Sequence, residues 1–214
     1  MVRSPNLCAV ILAAGESTRM GTDKALLPWP PSPGGTSSGQ TFLSSAIRAL
    51  SPFSEMVIVV AGKNEASLTP VAYANGASVV RNPAPERGQF SSLQIGLQTV
   101  LSYGRDAAIV TLVDRPPMSS AMLSSLTSAF LAAPIGIWAV VPEYQGKHGH
   151  PVLLGREMIE VFLKAPPTAT ARELEHQNQH HIRYVQVDDP SVTLNADTPE
   201  EYAALAALAP FPPK

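Results

Sequence analysis

The sequence predicts an α/β fold: one domain of three layers, with helices on both faces of a mostly parallel sheet. Three observations point there. Apolar runs of strand length alternate with segments of helical spacing along the chain. The first such run, Leu7 to Ala14, opens directly into the small-residue turn Gly15-Glu16-Ser17-Thr18-Arg19-Met20-Gly21. Another, Ala107 to Val113, stops at Asp114 just before Pro116 and Pro117. Alternation of this kind implies parallel strands joined by right-handed crossovers. In such sheets, ligands sit beyond the carboxyl ends of the strands.

Leu7 to Ala14 is continuously apolar, as a strand buried on both faces should be. The stretch from Pro28 to Gln40 is rich in proline, glycine and serine, which continue neither a helix nor a central strand, and reads as a mobile excursion near the site. Phe42, Ala46, Ile47 and Leu50 fall on one helix face; Met56 to Ala61 is β-rich; Glu65 to Ala74 is a weak helix. Ala77 to Arg81 is a short strand ending at Asn82-Pro83. Phe90, Leu93, Leu97, Val100 and Leu101 then repeat at helical spacing after Gly88. Beyond Asp114 the pattern predicts helix over Met118 to Ala132, strand over Ile137 to Pro142, and helices over Arg156 to Lys164 and Ala169 to His176. Strand Ile182 to Val187 and helix Thr198 to Leu208 complete the series. Thr198 with Glu201 forms a capping box, with Pro199 at the first helical position.

A chain of 214 residues, 45% of them hydrophobic, suffices for one substantial core, and no linker divides it. Fifteen basic and 17 acidic residues nearly cancel, which excludes a broad cationic field for nucleic acid or a membrane surface. An anionic substrate therefore needs a local site. The apolar region Leu126 to Val141 is broken by Pro134 and Gly136 and is too short to span a bilayer. The single cysteine, Cys8, forms no intrachain disulfide, and no signal-peptide cleavage site is visible; the expectation is a cytoplasmic protein.

The turn after the first strand combines small residues, which let backbone N–H groups approach phosphate oxygens, with Arg19 and Lys24. It is a phosphate cradle by composition, with Lys24 placed in a solvent-accessible loop. Neither the P-loop spacing nor the dinucleotide fingerprint G-x-G-x-x-G is present. A tight surface turn with solvated basic residues has the same composition. Asp114 at a strand end suits a hard cation, or an ordinary strand-to-turn aspartate. Ser91 and Ser92 suit a helix N-terminus, and Asn82-Pro83 a turn. His148 and His150 lack a nearby cysteine and any recognised zinc-ligand spacing. His176, His180 and His181 lie in a polar segment and read as solvated.

The segment LAAGESTRMGTDKALLP, residues 12–28, resembles the opening signature of the molybdopterin cytidylyl- and guanylyltransferases. These lie within a wider Rossmann-like superfamily that also handles sugar phosphates and isoprenoid precursors. The likeness continues through Asn82-Pro83, Gly88 to Leu93, Asp114-Arg115-Pro116, Gly149 to Leu153 and Asp197 to Tyr202, in order and over nearly the whole chain. The resemblance implies that Ala13, Ala14, Gly15, Arg19 and Lys24 hold a nucleoside triphosphate, with Arg19, Lys24 and Asp114 catalytic. It implies that Asn82, Gly88, Ser91 and Ser92 belong to the nucleotide site, that Asp114 and Asp197 bind Mg2+, and that His150 meets the acceptor. The implied reaction is transfer of a nucleotidyl group to a phosphorylated acceptor such as molybdopterin, with the product passed on to a molybdoenzyme. CTP is the implied nucleotide, because guanylyl-transferring relatives commonly carry Gly-Gly where this chain has Ala14-Gly15. Two other readings are a sugar-phosphate nucleotidyltransferase and a non-catalytic cofactor carrier. Two departures stand out: the 28–40 insertion, and Arg115 where relatives commonly carry an uncharged residue.

Overall fold

A computed structural model describes residues 6–30, 39–166 and 168–207. Eight strands form one sheet: β1 (Leu7–Leu12), β2 (Met56–Ala61), β3 (Ser78–Arg81), β4 (Ala107–Leu112), β5 (Ala139–Tyr144), β6 (Lys147–His148), β7 (Val152–Gly155) and β8 (Ile182–Gln186). The helices are α1 (Phe42–Leu50), α2 (Glu65–Ala74), α3 (Gln89–Ser102), α4 (Ser120–Leu131), α5 (Arg156–Lys164), α6 (Ala171–Gln177) and α7 (Pro199–Ala207). The sheet order is β3-β2-β1-β4-β7-β5-β6, with β8 on the other side of β5.

The parallel pairs β1–β2, β2–β3, β1–β4 and β5–β8 are those that the alternation requires. The sheet differs from the sequence expectation at β7, which runs antiparallel between β4 and β5, Leu153 pairing both Ile109 and Val140. Four apolar residues squeezed between Gly149-His150-Pro151 and a helix give too short a run to show a period. β5 and β6 meet through Gln145 and Gly146, at φ 49° and 77°, the left-handed pair that tight hairpins favour.

Alternating side chains of β1 divide the core. Ala9 and Ile11 face Leu43, Ile47, Leu68 and Leu126 on the side of α1, α2 and α4. Cys8, Val10 and Leu12 face Leu93, Leu97, Ile159 and Phe162 on the side of α3 and α5. Each large side chain fully buried in these layers contributes about 1.5–3 kcal/mol. Gly96 lets α3 lie close to the sheet: a β-carbon there would come within 2.5 Å of Val10 and 3.1 Å of Val60. That approach brings the start of α3 beside the end of β1. Burial pushes the Cys8 thiol up to about 11, so it packs as a small apolar group.

A third cluster joins residues 27–42 to residues 194–205. Trp29 packs on Phe42 with ring centroids 4.6 Å apart and planes tilted by 52°, with Ala196 and Leu205 against them, and the Tyr202 hydroxyl donates to Pro28 O at 2.9 Å. The ends of the 28–40 excursion are paired, Trp29 N donating to Gln40 O at 2.9 Å; residues 31–38 lie outside the described residues. No helix among the described residues is long and apolar enough to cross a membrane.

Candidate functional site

The carboxyl ends of β1 and β4, with the approach to α7, converge on one cluster of charges. Lys24 leads a short 3-10 turn whose N-cap is Asp23, accepting from Ala25 N at 3.0 Å. Its ammonium lies between two carboxylates, 3.1 Å from Asp114 Oδ2 and 2.5 Å from Asp197 Oδ1. Arg19 reaches the same Asp197 oxygen at 3.4 Å. The structure corrects one expectation here: Lys24 is not on an accessible loop, its side chain being only 12% exposed against 20% for Asp114 and 27% for Asp197. Carboxylates drawn to one point need a cation inside it, and the lysine is buried for that reason. The Lys24 hydrogen bond holds the Asp197 carboxyl below the usual carboxylate range, with Arg19 and Arg115 adding to the effect.

Asp197 stands just before the capping box read from the sequence: Glu201 N donates to the Thr198 hydroxyl, and Glu201 Oε2 accepts from Thr198 N and Asp197 N. The cap spares the Asp197 side chain for the cluster, where Asn195 also donates to it at 2.6 Å. Ala196 N bonds Asp114 O at 2.9 Å, tying the two carboxylate-bearing segments together. Arg115 points neither to solvent nor to the cluster. It donates to Val192 O and Leu194 O, both at 3.3 Å, so it anchors the segment before Asp197. Burial pulls its pKa down, against the pull of Asp114.

The cradle is braced from behind by Asn64, a residue that sequence reasoning missed. Its amide donates to Ala13 O at 2.9 Å and Asp23 Oδ2 at 2.7 Å, while its oxygen accepts from Gly62 N at 3.0 Å. A Lys63-Asn64 pair ahead of a helix looks like any turn, so no local signal marks it. Ala14 packs on Gly62, where a β-carbon would lie 2.7 Å from Ala14 O, whereas Gly15 has nothing within 4 Å of the corresponding position. Ser17 holds φ 49° and accepts from Lys24 N at 3.1 Å, closing the loop on itself.

Asn82, Ser91 and Ser92 are also brought together. All three are buried, and the Asn82 amide donates to both hydroxyls at 2.9 Å. Neither serine caps α3, whose N-cap is Gly88 at φ 92° with no side-chain bond. The Ser91 hydroxyl donates to Gly88 O at 2.7 Å, and Gly88 lines a cavity of about 790 Å³ on the α3 face, with Leu12, Phe90, Leu112, His150 and Phe162. The histidine pair is split. His148 is exposed, stacked on Tyr184 and 3.4 Å from Glu143, whereas His150 turns inward toward Val110 O at 3.5 Å. Burial, helped by the Arg115 charge, pushes His150 down to about 4, leaving a neutral ring on the cavity wall. His181, read as solvated, stacks on Trp138 with ring centroids 3.3 Å apart.

Two carboxylates and a lysine do not make a complete metal site. Among the described residues, no group of three or more histidine, cysteine, aspartate or glutamate side chains could hold an ion. The donor set nonetheless fits a cation that takes most of its ligands from phosphate and water. Asp114 Oδ1 is buried with no hydrogen-bond partner, so it has a lone pair to give.

Residues 9–184 match the model of the MobA-like NTP transferase domain. The chain is 35% identical over 133 residues to a probable molybdenum cofactor guanylyltransferase of Rhodopirellula baltica, covering 62% of this chain and 60% of that protein. It is 24% identical to the molybdenum cofactor cytidylyltransferase of Escherichia coli, over 90% of this chain and 92% of that one. The crystal structure of Rv0371c from Mycobacterium tuberculosis superposes with a TM-score of 0.78 at 25% identity, over 94% of this chain and 98% of that one.

Proposed function

The chain belongs to the MobA-like NTP transferase family, and from that premise we propose that it transfers CMP from CTP to the terminal phosphate of molybdopterin, releasing pyrophosphate. One observation carries the reading: Arg19, Lys24, Asp114 and Asp197, from distant parts of the chain, share a single cluster at the carboxyl ends of the strands. A non-catalytic carrier has no need to concentrate opposed charges at that point.

In this reaction a phosphate oxygen of the acceptor attacks the α-phosphorus of the nucleotide. The bond from that phosphorus to the oxygen bridging the α- and β-phosphates breaks, and the electron pair leaves with pyrophosphate. The open Gly15 backbone receives the phosphates, and Arg19, whose side chain is two-thirds exposed, forks onto their oxygens. The flexible stem of Lys24 lets its ammonium leave the carboxylates for the charge that develops on pyrophosphate. Asp114 and Asp197 are the residues that would hold Mg2+, which when bound neutralises phosphate charge and aligns attacking and leaving oxygens. Gly88, with Asn82, Ser91 and Ser92 beneath it, supports the base and ribose, and His150, held neutral, offers the acceptor a hydrogen-bonding ring.

The preference for CTP rests on Ala14, where guanylyl-transferring relatives commonly carry glycine: its methyl, packed toward Gly62, leaves a purine less room at the same backbone. A methyl group discriminates by about 10- to 200-fold at most. Pyrophosphate release with molybdopterin, Mg2+ and each nucleotide in turn tests this. CTP should exceed GTP and ATP in kcat/KM; a faster reaction with GTP refutes the cytidylyl assignment.

A further inference from the structure

The cavity on the α3 face is larger than a neutral histidine and a few apolar walls require, and its lining carries a group that the transfer reaction does not use. Phe90 and Phe162 meet edge to face with centroids 5.9 Å apart on its wall, and aliphatic side chains from β1, β4 and β7 form its floor. Such walls suit a flat ring system. Glu175, on α6, lines the same cavity. Burial alone pushes its pKa up, and no cation among the described residues offsets it, although Arg87 and Arg172 also border the space. Glu175 is half-buried and its carboxylate makes no hydrogen bond or ion pair with another described residue, so both carboxylate oxygens are free to accept from a ligand in the cavity.

We propose that Glu175 is a specificity-determining residue for the acceptor, its two oxygens accepting the paired N–H groups of a 2-amino-4-oxopyrimidine edge while the ring lies in the cavity. The proposal rests on the transferase reading and assigns the ring to the acceptor's pterin. The same edge occurs on guanine, which makes GTP the competing source. Two parallel N–H···O bonds fix a ring in one orientation and reject any ring that presents a carbonyl in place of the amino group. Leu12 and Leu112, both on its lining, directly precede the chain segments that carry the cradle and Asp114. A ring bound at Glu175 therefore lies in a cavity that borders both segments.

The test is a fluorescence titration of the full chain with 6-hydroxymethylpterin, and with 6-hydroxymethyllumazine, which carries oxygen in place of the 2-amino group. The pterin should bind roughly tenfold to a hundredfold more tightly than the lumazine. Glu175→Gln should remove most of that preference while leaving CTP binding unchanged; Glu175→Ala provides a second variant should the first fold poorly. Equal binding of the two rings, or a Gln variant that still prefers the pterin, overturns the proposal. Displacement of the pterin by GTP but not by CTP assigns the ring to the nucleotide and overturns it as well. Because these readouts need no turnover, a chain that binds pterin through Glu175 yet releases no pyrophosphate refutes the transferase reading alone.

Discussion

Replacing Lys24 by methionine keeps the length of the side chain and removes the charge that joins Asp114 to Asp197. Both carboxylates then face each other across the space that the ammonium filled. Two unit charges about 5 Å apart repel by roughly 3 kcal/mol at an effective dielectric near 20. Water reaches a fifth to a quarter of each side chain, which screens the repulsion to about 1–2 kcal/mol. For a domain of this size that is a fall in melting temperature of roughly 2–8 °C. The pH dependence follows from the Asp197 carboxyl. Its folded pKa is depressed chiefly by Lys24, so its stabilising contribution is present above the ordinary carboxylate pKa and is lost as pH falls through the lower folded value. The gap between wild type and Lys24→Met should therefore be widest near neutrality and close in acid. Millimolar Mg2+ should raise the variant's melting temperature more than the wild type's, because the carboxylates no longer have an internal cation. Differential scanning fluorimetry from pH 3 to 8, with and without Mg2+, reads all of this. A variant that melts with the wild type at pH 7, or that gains nothing from Mg2+, refutes the view of Lys24 as the cation of this pair.

Gly149→Ala would put a β-carbon 2.3 Å from Val192 O, against backbone that cannot rotate away. The segment holding Arg115 and His150 must then shift, at about 1–3 kcal/mol, and both melting temperature and turnover should fall; a variant of wild-type stability contradicts that packing. Gly15→Ala meets nothing within 4 Å, so the fold should be unaffected while the KM for nucleotide rises, because the methyl stands where phosphate approaches. Loss of stability without change in KM would make Gly15 a structural residue only.

What the sequence shows of this molecule depends on how local each cause is. β1, β2 and β4 are apolar on both faces, so their runs are continuous, and Asp114 stands out because it ends one. The box at Thr198 and Glu201 is visible because its partners lie three residues apart. β7 is hidden because its four residues owe their strand conformation to neighbours on other segments, such as Ile109 and Val140 for Leu153. Asn64 and Glu175 are hidden for a related reason: each gains its meaning from a surface built by other segments, the cradle in one case and the cavity in the other. The burial of Lys24 follows from Asp197, 173 residues away, and no local pattern announces it.

The most direct test of the transfer site follows the label from CTP carrying a labelled α-phosphate, with molybdopterin and Mg2+, in wild type and in Asp114→Asn. Asparagine preserves the shape of the strand end, and the Asp114 O bond from Ala196 N at 2.9 Å is a main-chain bond that the substitution leaves in place. The wild type should release one pyrophosphate for each labelled nucleotidyl group joined to the acceptor. The variant should fold, bind CTP, and transfer at least about a hundredfold more slowly. Transfer by Asp114→Asn at the wild-type rate would contradict the assignment of this cluster as the catalytic site.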